Sequence, residues 1–183
     1  MTILVCGLGR CGSSLMMQML SAGGLQCAGR YPMFENMPAG APITIAMLEE
    51  LAGGAAKLLN PHMITFEPGC EDKAVVLWMD RNAQQQALSQ AKICRMLYSA
   101  YPADVRAFAK HLGKERQAAL GNLSRFTQQA IWFDGLINDP VRSAVAVANW
   151  LSGFGFCLDV EKMVQAVRPR SAKCLDGFLE DEL

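Results

Sequence analysis

The sequence is poor in charge, and what charge it has cancels. Lys plus Arg number 17 and Asp plus Glu number 17 in 183 residues, so the formal net charge at pH 7 is zero. No general attraction to nucleic acid or to an anionic membrane surface follows, although a local basic pocket stays possible. No CxxC pair exists among the seven cysteines. An odd count without zinc spacing predicts reduced thiols in a cytoplasmic protein, not a disulfide framework or a metal centre. No convincing membrane or export segment is present either. The longest apolar run near the N-terminus is broken by Gly7, Gly9, Arg10 and Gly12, and it lacks the basic region that precedes a signal sequence. Repeats, linkers and low-complexity tracts are likewise missing. What remains, 51% hydrophobic and 19% charged, is the composition of a compact globular chain. Its length suits one domain over residues 1–183.

The organising stretch is residues 2–24. Ile3-Leu4-Val5-Cys6 is an apolar run short enough for a buried strand. The glycine-rich turn Gly7-Leu8-Gly9-Arg10-Cys11-Gly12 follows, and Ser13-Ser14 open an apolar helix that Gly23-Gly24 stop. Strand, glycine loop and helix N-terminus together make an anion cradle, because backbone N–H groups and the helix dipole point the same way. Gly7-x4-Gly12-Ser13-Ser14 has the spacing of a Walker A loop, but Ser13 stands where the lysine belongs. The only cation within the loop is Arg10.

Further along, residues 25–40 read as a surface loop near that cradle, carrying Arg30 and Glu35. Residues 43–59 read as a helix interrupted at Gly53-Gly54, and residues 62–67 as a strand. Residues 74–79, AVVLWM, are a second buried strand, followed by Asp80-Arg81 and by a helix over 83–98 that Asn82 caps. A long helix over 102–125, a strand over 129–133, a helix opened by Asp139-Pro140 and a short one capped by Asp159 complete the pattern. Alternating strands and helices predict an α/β fold of three α/β/α layers around a mostly parallel sheet, like that of P-loop NTPases. Ligands of such sheets bind beyond the carboxyl ends of the strands.

Three segments carry a family resemblance. GLGRCGSSL resembles the GxPRSGTTL loop of sulfotransferases, with Gly9 in place of proline and Cys11 in place of serine. VVLWMDRNAQQQALSQ is similar to the sulfotransferase segment IYLVRDPREQALSQ. IWFDGLINDPVRSAVAVANWLSGFGF resembles YEDLxxDPxxxxxxIxxFLG, with Asp134, Leu136, Asp139 and Pro140 in matching places. The three come in the family order and span residues 2–156, while residues 98–128 show little likeness. The chain is short for that family.

The resemblance implies a PAPS-dependent sulfotransferase, PAPS being 3′-phosphoadenosine 5′-phosphosulfate, that works without metal on a small-molecule or glycan hydroxyl or amine. Gly9, Arg10, Cys11, Gly12, Ser13 and Ser14 would hold the 5′-phosphosulfate, and Arg81 and Ser89 the 3′-phosphate. Arg10 would also serve the transfer step. One branch of the family carries a catalytic histidine in a KTHLP-like stretch before the 3′-phosphate segment. Set against residues 64–68, ITFEP, that position falls on Phe66. Other branches use a glutamate after the first helix, which points to Glu35 as general base with Glu67 second. Arg168 and Arg170 are the available substitutes for a missing C-terminal basic loop. Two rival readings stay open: a P-loop nucleotide kinase or NTPase, and a non-catalytic relative that binds PAP or PAPS.

Overall fold

The computed structural model describes residues 1–35, 40–97 and 104–168. Its two central strands, β1 (Thr2–Gly7) and β4 (Ala74–Asp80), are buried along their whole length. Successive side chains of a strand point to opposite faces, and that alternation divides the interior. Ile3, Val5, Val75, Leu77 and Met79 fall in one core. Leu4, Cys6, Ala74, Val76 and Trp78 fall in the other. The first core is closed by α1 (Ser13–Ala22), α5 (Phe133–Asn138), α6 (Pro140–Ser152) and α7 (Val160–Gln165), through residues such as Met16, Leu136, Val147 and Met163. The second is closed by α2 (Ile45–Glu50), α3 (Ala83–Leu97) and α4 (Val105–Asn122), through Leu48, Ala87, Leu112 and Ala119. The result is a central sheet with helices on both faces, as the alternation of elements implies.

The sheet has five strands in the order β2-β3-β1-β4-β5, with β2 at Gln26–Cys27, β3 at Gly54–Leu59 and β5 at Gln128–Trp132. Every pair in it is parallel. Helix starts follow the chemistry of their caps. Asn82 accepts from Gln84 and Gln85 N–H, Asp104 from Arg106 and Ala107, Asp139 from Arg142, and Asp159 from Lys162. The expected starts and ends at 98 and 102–103 lie outside the described residues.

The stretch 43–67 departs from its sequence reading. Thr44 caps a short α2, and the expected second half of that helix is β3, a strand. Ala55, Ala56, Lys57, Leu58 and Leu59 are good helix formers. Local propensity loses here to tertiary pairing: Ile3↔Ala55 through Gly7↔Leu59 is an unbroken parallel register beside β1. A glycine opens the strand because a Cβ at Gly54 would sit 2.6 Å from the Gln26 carbonyl oxygen. The expected strand over 62–67 is instead a 3-10 turn at Pro61–Met63, with one isolated bridge between Ile43 and Phe66. Among the described residues no helix is long and apolar enough to cross a membrane, and the six described cysteines are all free thiols.

Candidate functional site

The β1–α1 loop lies at the carboxyl end of the sheet, flanked by the ends of β3 and β4. Its geometry is set by close packing. Gly12, the residue before α1, has φ 97°, and a Cβ there would fall 2.4 Å from Phe133 Cδ2. Glycine is needed on both counts. Arg10 itself adopts φ 67°, a conformation that non-glycine residues take at a cost of ~1–2 kcal/mol. Three side chains from the β4–α3 segment hold it there. Arg81 Nη1 donates to the Arg10 carbonyl at 3.1 Å, Arg10 Nε donates to Ser89 Oγ at 3.1 Å, and Gln86 Nε2 donates to the Gly9 carbonyl at 2.7 Å. The Arg81 guanidinium is buried and lies 4.3 Å from the centre of the Phe133 ring, a cation–π contact.

A cleft of about 170 Å³ opens over this loop. Among the described residues four cations line it, Arg10, Lys57, Arg81 and Arg168, against one carboxylate, Glu35. Gly9, Gly12, Ser13 and Ser14 form its floor, and Tyr31, Pro32, Met33 and Leu59 an apolar wall. The first amides of α1 have no preceding helical turn to pair with, which favours an anion at this helix start, while that of Ser13 lies beside the Cys11 sulfur. The structure thus brings together the loop, Arg81 and Glu35. Ser89 is drawn in through Arg10 and does not line the cleft.

Two expected site residues are placed elsewhere. Cys11 does not line the cleft: its amide donates to the Leu8 carbonyl at 3.2 Å and its sulfur is buried in the first core. Burial pushes the thiol pKa up, and the Ser13 amide and hydroxyl beside the sulfur offset this only in part. Glu67 also lies off the cleft. Its Oε2 accepts from the Ile45 N–H at 2.8 Å, so it braces the start of α2. Neither histidine is near: His62 Nε2 and His111 Nε2 lie 3.5 and 3.1 Å from Glu115 Oε1. Arg170 lies outside the described residues. Among the described residues no group of three His, Cys, Asp or Glu side chains is placed to hold a metal ion.

The residue that sequence reasoning missed is Lys57. It sits in β3, its side chain only 2% exposed, and its Nζ lies 3.0 Å from Glu35 Oε1 and 3.2 Å from Ser14 Oγ. A buried ammonium needs partners, and this one finds them in Ser14 at the first turn of α1 and in Glu35 of the segment that follows β2. The position that Ser13 leaves without a cation is therefore served from a neighbouring strand. The signal for it in the sequence was a single charge inside the apolar run GAAKLL.

No protein-family model and no curated protein sequence matches the chain. Solved structures do. A retinol dehydratase in complex with androsterone and inactive cofactor PAP superposes with a TM-score of 0.56 at 11% identity, over 90% of this chain and 62% of that one. A mouse sulfotransferase complexed with PAP gives 0.59 at 14% identity, over 90% and 64%. The sulfotransferase domain from the curacin biosynthetic pathway gives 0.54 at 11%, over 92% and 78%. The fold is sulfotransferase-like. The chain spans under two thirds of the length of the first two structures. In this sulfotransferase-like fold the cationic cleft occupies the carboxyl end of the sheet, where open α/β sheets bind their ligands.

Proposed function

We propose that the protein binds PAPS and transfers its sulfuryl group to a hydroxyl or amine acceptor. The observation that carries the reading is the cationic floor of the cleft, where Lys57 and Ser14 meet beneath the N-terminus of α1 beside Arg10 and Arg81. Two of the structures that share the fold hold PAP, which supports the choice of nucleotide. The 5′-phosphosulfate lies over residues 12–14 with Lys57 and Arg10 on its oxygens, and Arg81 takes the 3′-phosphate. A planar guanidinium with several donors suits a dianionic phosphate.

Transfer proceeds in line. A bond forms from the acceptor oxygen or nitrogen to sulfur as the bond from sulfur to the 5′-phosphate oxygen breaks. PAP leaves with that electron pair, and the acceptor proton passes to the Glu35 carboxylate. Positioning and charge stabilisation supply most of the rate. The step as written uses no metal. The acceptor approaches along the apolar wall of Tyr31, Met33 and Leu59.

The test is calorimetric titration with PAP in EDTA, on the wild type and Arg81→Ala, followed by transfer of labelled sulfate from PAPS to a panel of acceptors. Metal-free binding that Arg81→Ala weakens supports the site, and turnover supports the reaction. Binding without turnover across the panel points to a PAP(S)-binding relative. A second reading gains from Lys57, whose ammonium supplies the charge that a nucleotide kinase or NTPase places on phosphate. Binding of ATP only with Mg²⁺, and none of PAP in EDTA, selects it.

A further inference from the structure

The loop that forms the cleft floor is gripped from outside by residues 81–89. Arg81 and Ser89 both touch Arg10. Gln86 is different. It does not line the cleft, it is 5% exposed, and its Nε2 donates to the Gly9 carbonyl at 2.7 Å. Burying a primary amide is costly unless it is hydrogen-bonded, and here the bond is made to the most pliable residue of the loop.

Gly9 does not occupy the left-handed region, unlike Gly12. A Cβ at Gly9 would meet Gln90 Oε1 at 3.4 Å, an ordinary contact. Local stereochemistry therefore neither demands glycine there nor fixes the backbone. The next residue, Arg10, is at φ 67°, which a flexible neighbour does nothing to maintain. Two consecutive carbonyls, of Gly9 and Arg10, are turned onto Gln86 and Arg81. That fixes both peptide planes, and with them the direction of the Arg10 side chain.

We propose that Gln86 is a positioning residue for the anion loop: it holds the Gly9–Arg10 peptide so that Arg10 stays left-handed with its guanidinium over the cleft. The proposal rests on the reading of the cleft as the PAP(S) site. Without this hold the loop samples other conformations, and apparent affinity falls with the competent fraction.

The experiment uses Gln86→Glu, which keeps the shape but removes the donor and sets a carboxylate against the carbonyl, together with Gln86→Ala and Gln86→Ala/Gly9→Ala. PAP affinity is measured by calorimetry in EDTA, and amide hydrogen exchange is followed in the protein without nucleotide. The expected result is about a tenfold loss of affinity in Gln86→Glu, with faster exchange confined to residues 9–14. Alanine at position 9 narrows the loop's freedom and restores part of the affinity lost in Gln86→Ala. Affinity within twofold of the wild type overturns the proposal. So does exchange that rises equally in α3 and the central strands, because Gln86 is then a structural residue only. If the wild type itself binds no PAP, the reading of the cleft fails, and unchanged loop exchange in Gln86→Glu separately refutes the hold on the loop.

Discussion

Replacing Lys57 by methionine separates what this lysine does for a ligand from what it does for the fold. In the free protein its Nζ lies 3.0 Å from Glu35 Oε1 and 3.2 Å from Ser14 Oγ, on a side chain 2% exposed. A hydrogen bond to a charged group is worth ~1.5–3 kcal/mol net. The incoming anion exchanges with Glu35, so the ligand gains only part of that, about 1.5–2 kcal/mol, and Lys57→Met weakens PAP by ~10–30-fold. Stability moves differently. Methionine fills a similar volume and carries no buried charge, and replacing a buried ion pair by apolar packing is often neutral or favourable. The half-exposed Glu35 partner, 58% exposed, returns to water. The thermal midpoint therefore stays within about 4 °C of the wild type. Calorimetry in EDTA and a thermal melt on the same samples measure both. A folded variant that binds PAP within twofold of the wild type refutes the assignment of Lys57 to the anion. A drop of more than 10 °C, on the order of 3 kcal/mol, refutes the claim that its role is local.

Glu35→Gln removes the carboxylate that competes for Lys57, so PAP affinity rises several-fold while sulfate transfer falls by ~10²-fold or more; full turnover in that variant excludes Glu35 as the base. Gly12→Ala places a Cβ against Phe133 at φ 97° and lowers stability by at least ~1–3 kcal/mol, readable by urea titration. Arg116→Ala leaves Asp80 buried without its ion-pair partner. Burial already raises the Asp80 pKa, against the pull of Arg116. A raised carboxyl pKa means a contribution present in full below the unfolded value near 3.8 and lost as pH rises through the folded value. Arg116→Ala raises that folded value further, so its cost is greatest at neutral pH, about 1–2 kcal/mol for a partner 45% exposed. It vanishes by about pH 4 in urea melts taken across pH. Equal destabilisation at pH 4 and pH 7 refutes the assignment to Asp80.

Some of this protein was written in short segments and is legible there. Ile3 to Cys6 and Ala74 to Met79 are apolar on both sides, which only a strand at the centre of a covered sheet tolerates. Asn82, Asp104, Asp139 and Asp159 start helices because a side-chain oxygen three residues ahead of a free N–H does so in any context. The glycine loop is likewise local: its spacing is read directly from Gly7, Gly9 and Gly12, and the structure adds that Gly12 is left-handed. What the sequence by itself determined was therefore the layered α/β plan and the loop at its carboxyl edge. The tertiary structure decided the rest. Residues 55–59 have helical propensity and became a strand because β1 offers a register on that side. Only then does Lys57 face α1 and reach Ser14, 43 residues away in the chain. Cys11 and Glu67 fell out of the cleft for the same kind of reason: a core beneath the loop claims the thiol, and the Ile45 amide claims the carboxylate. Caps and turns answer to neighbours in sequence; a buried ammonium answers to whatever the sheet order sets beside it.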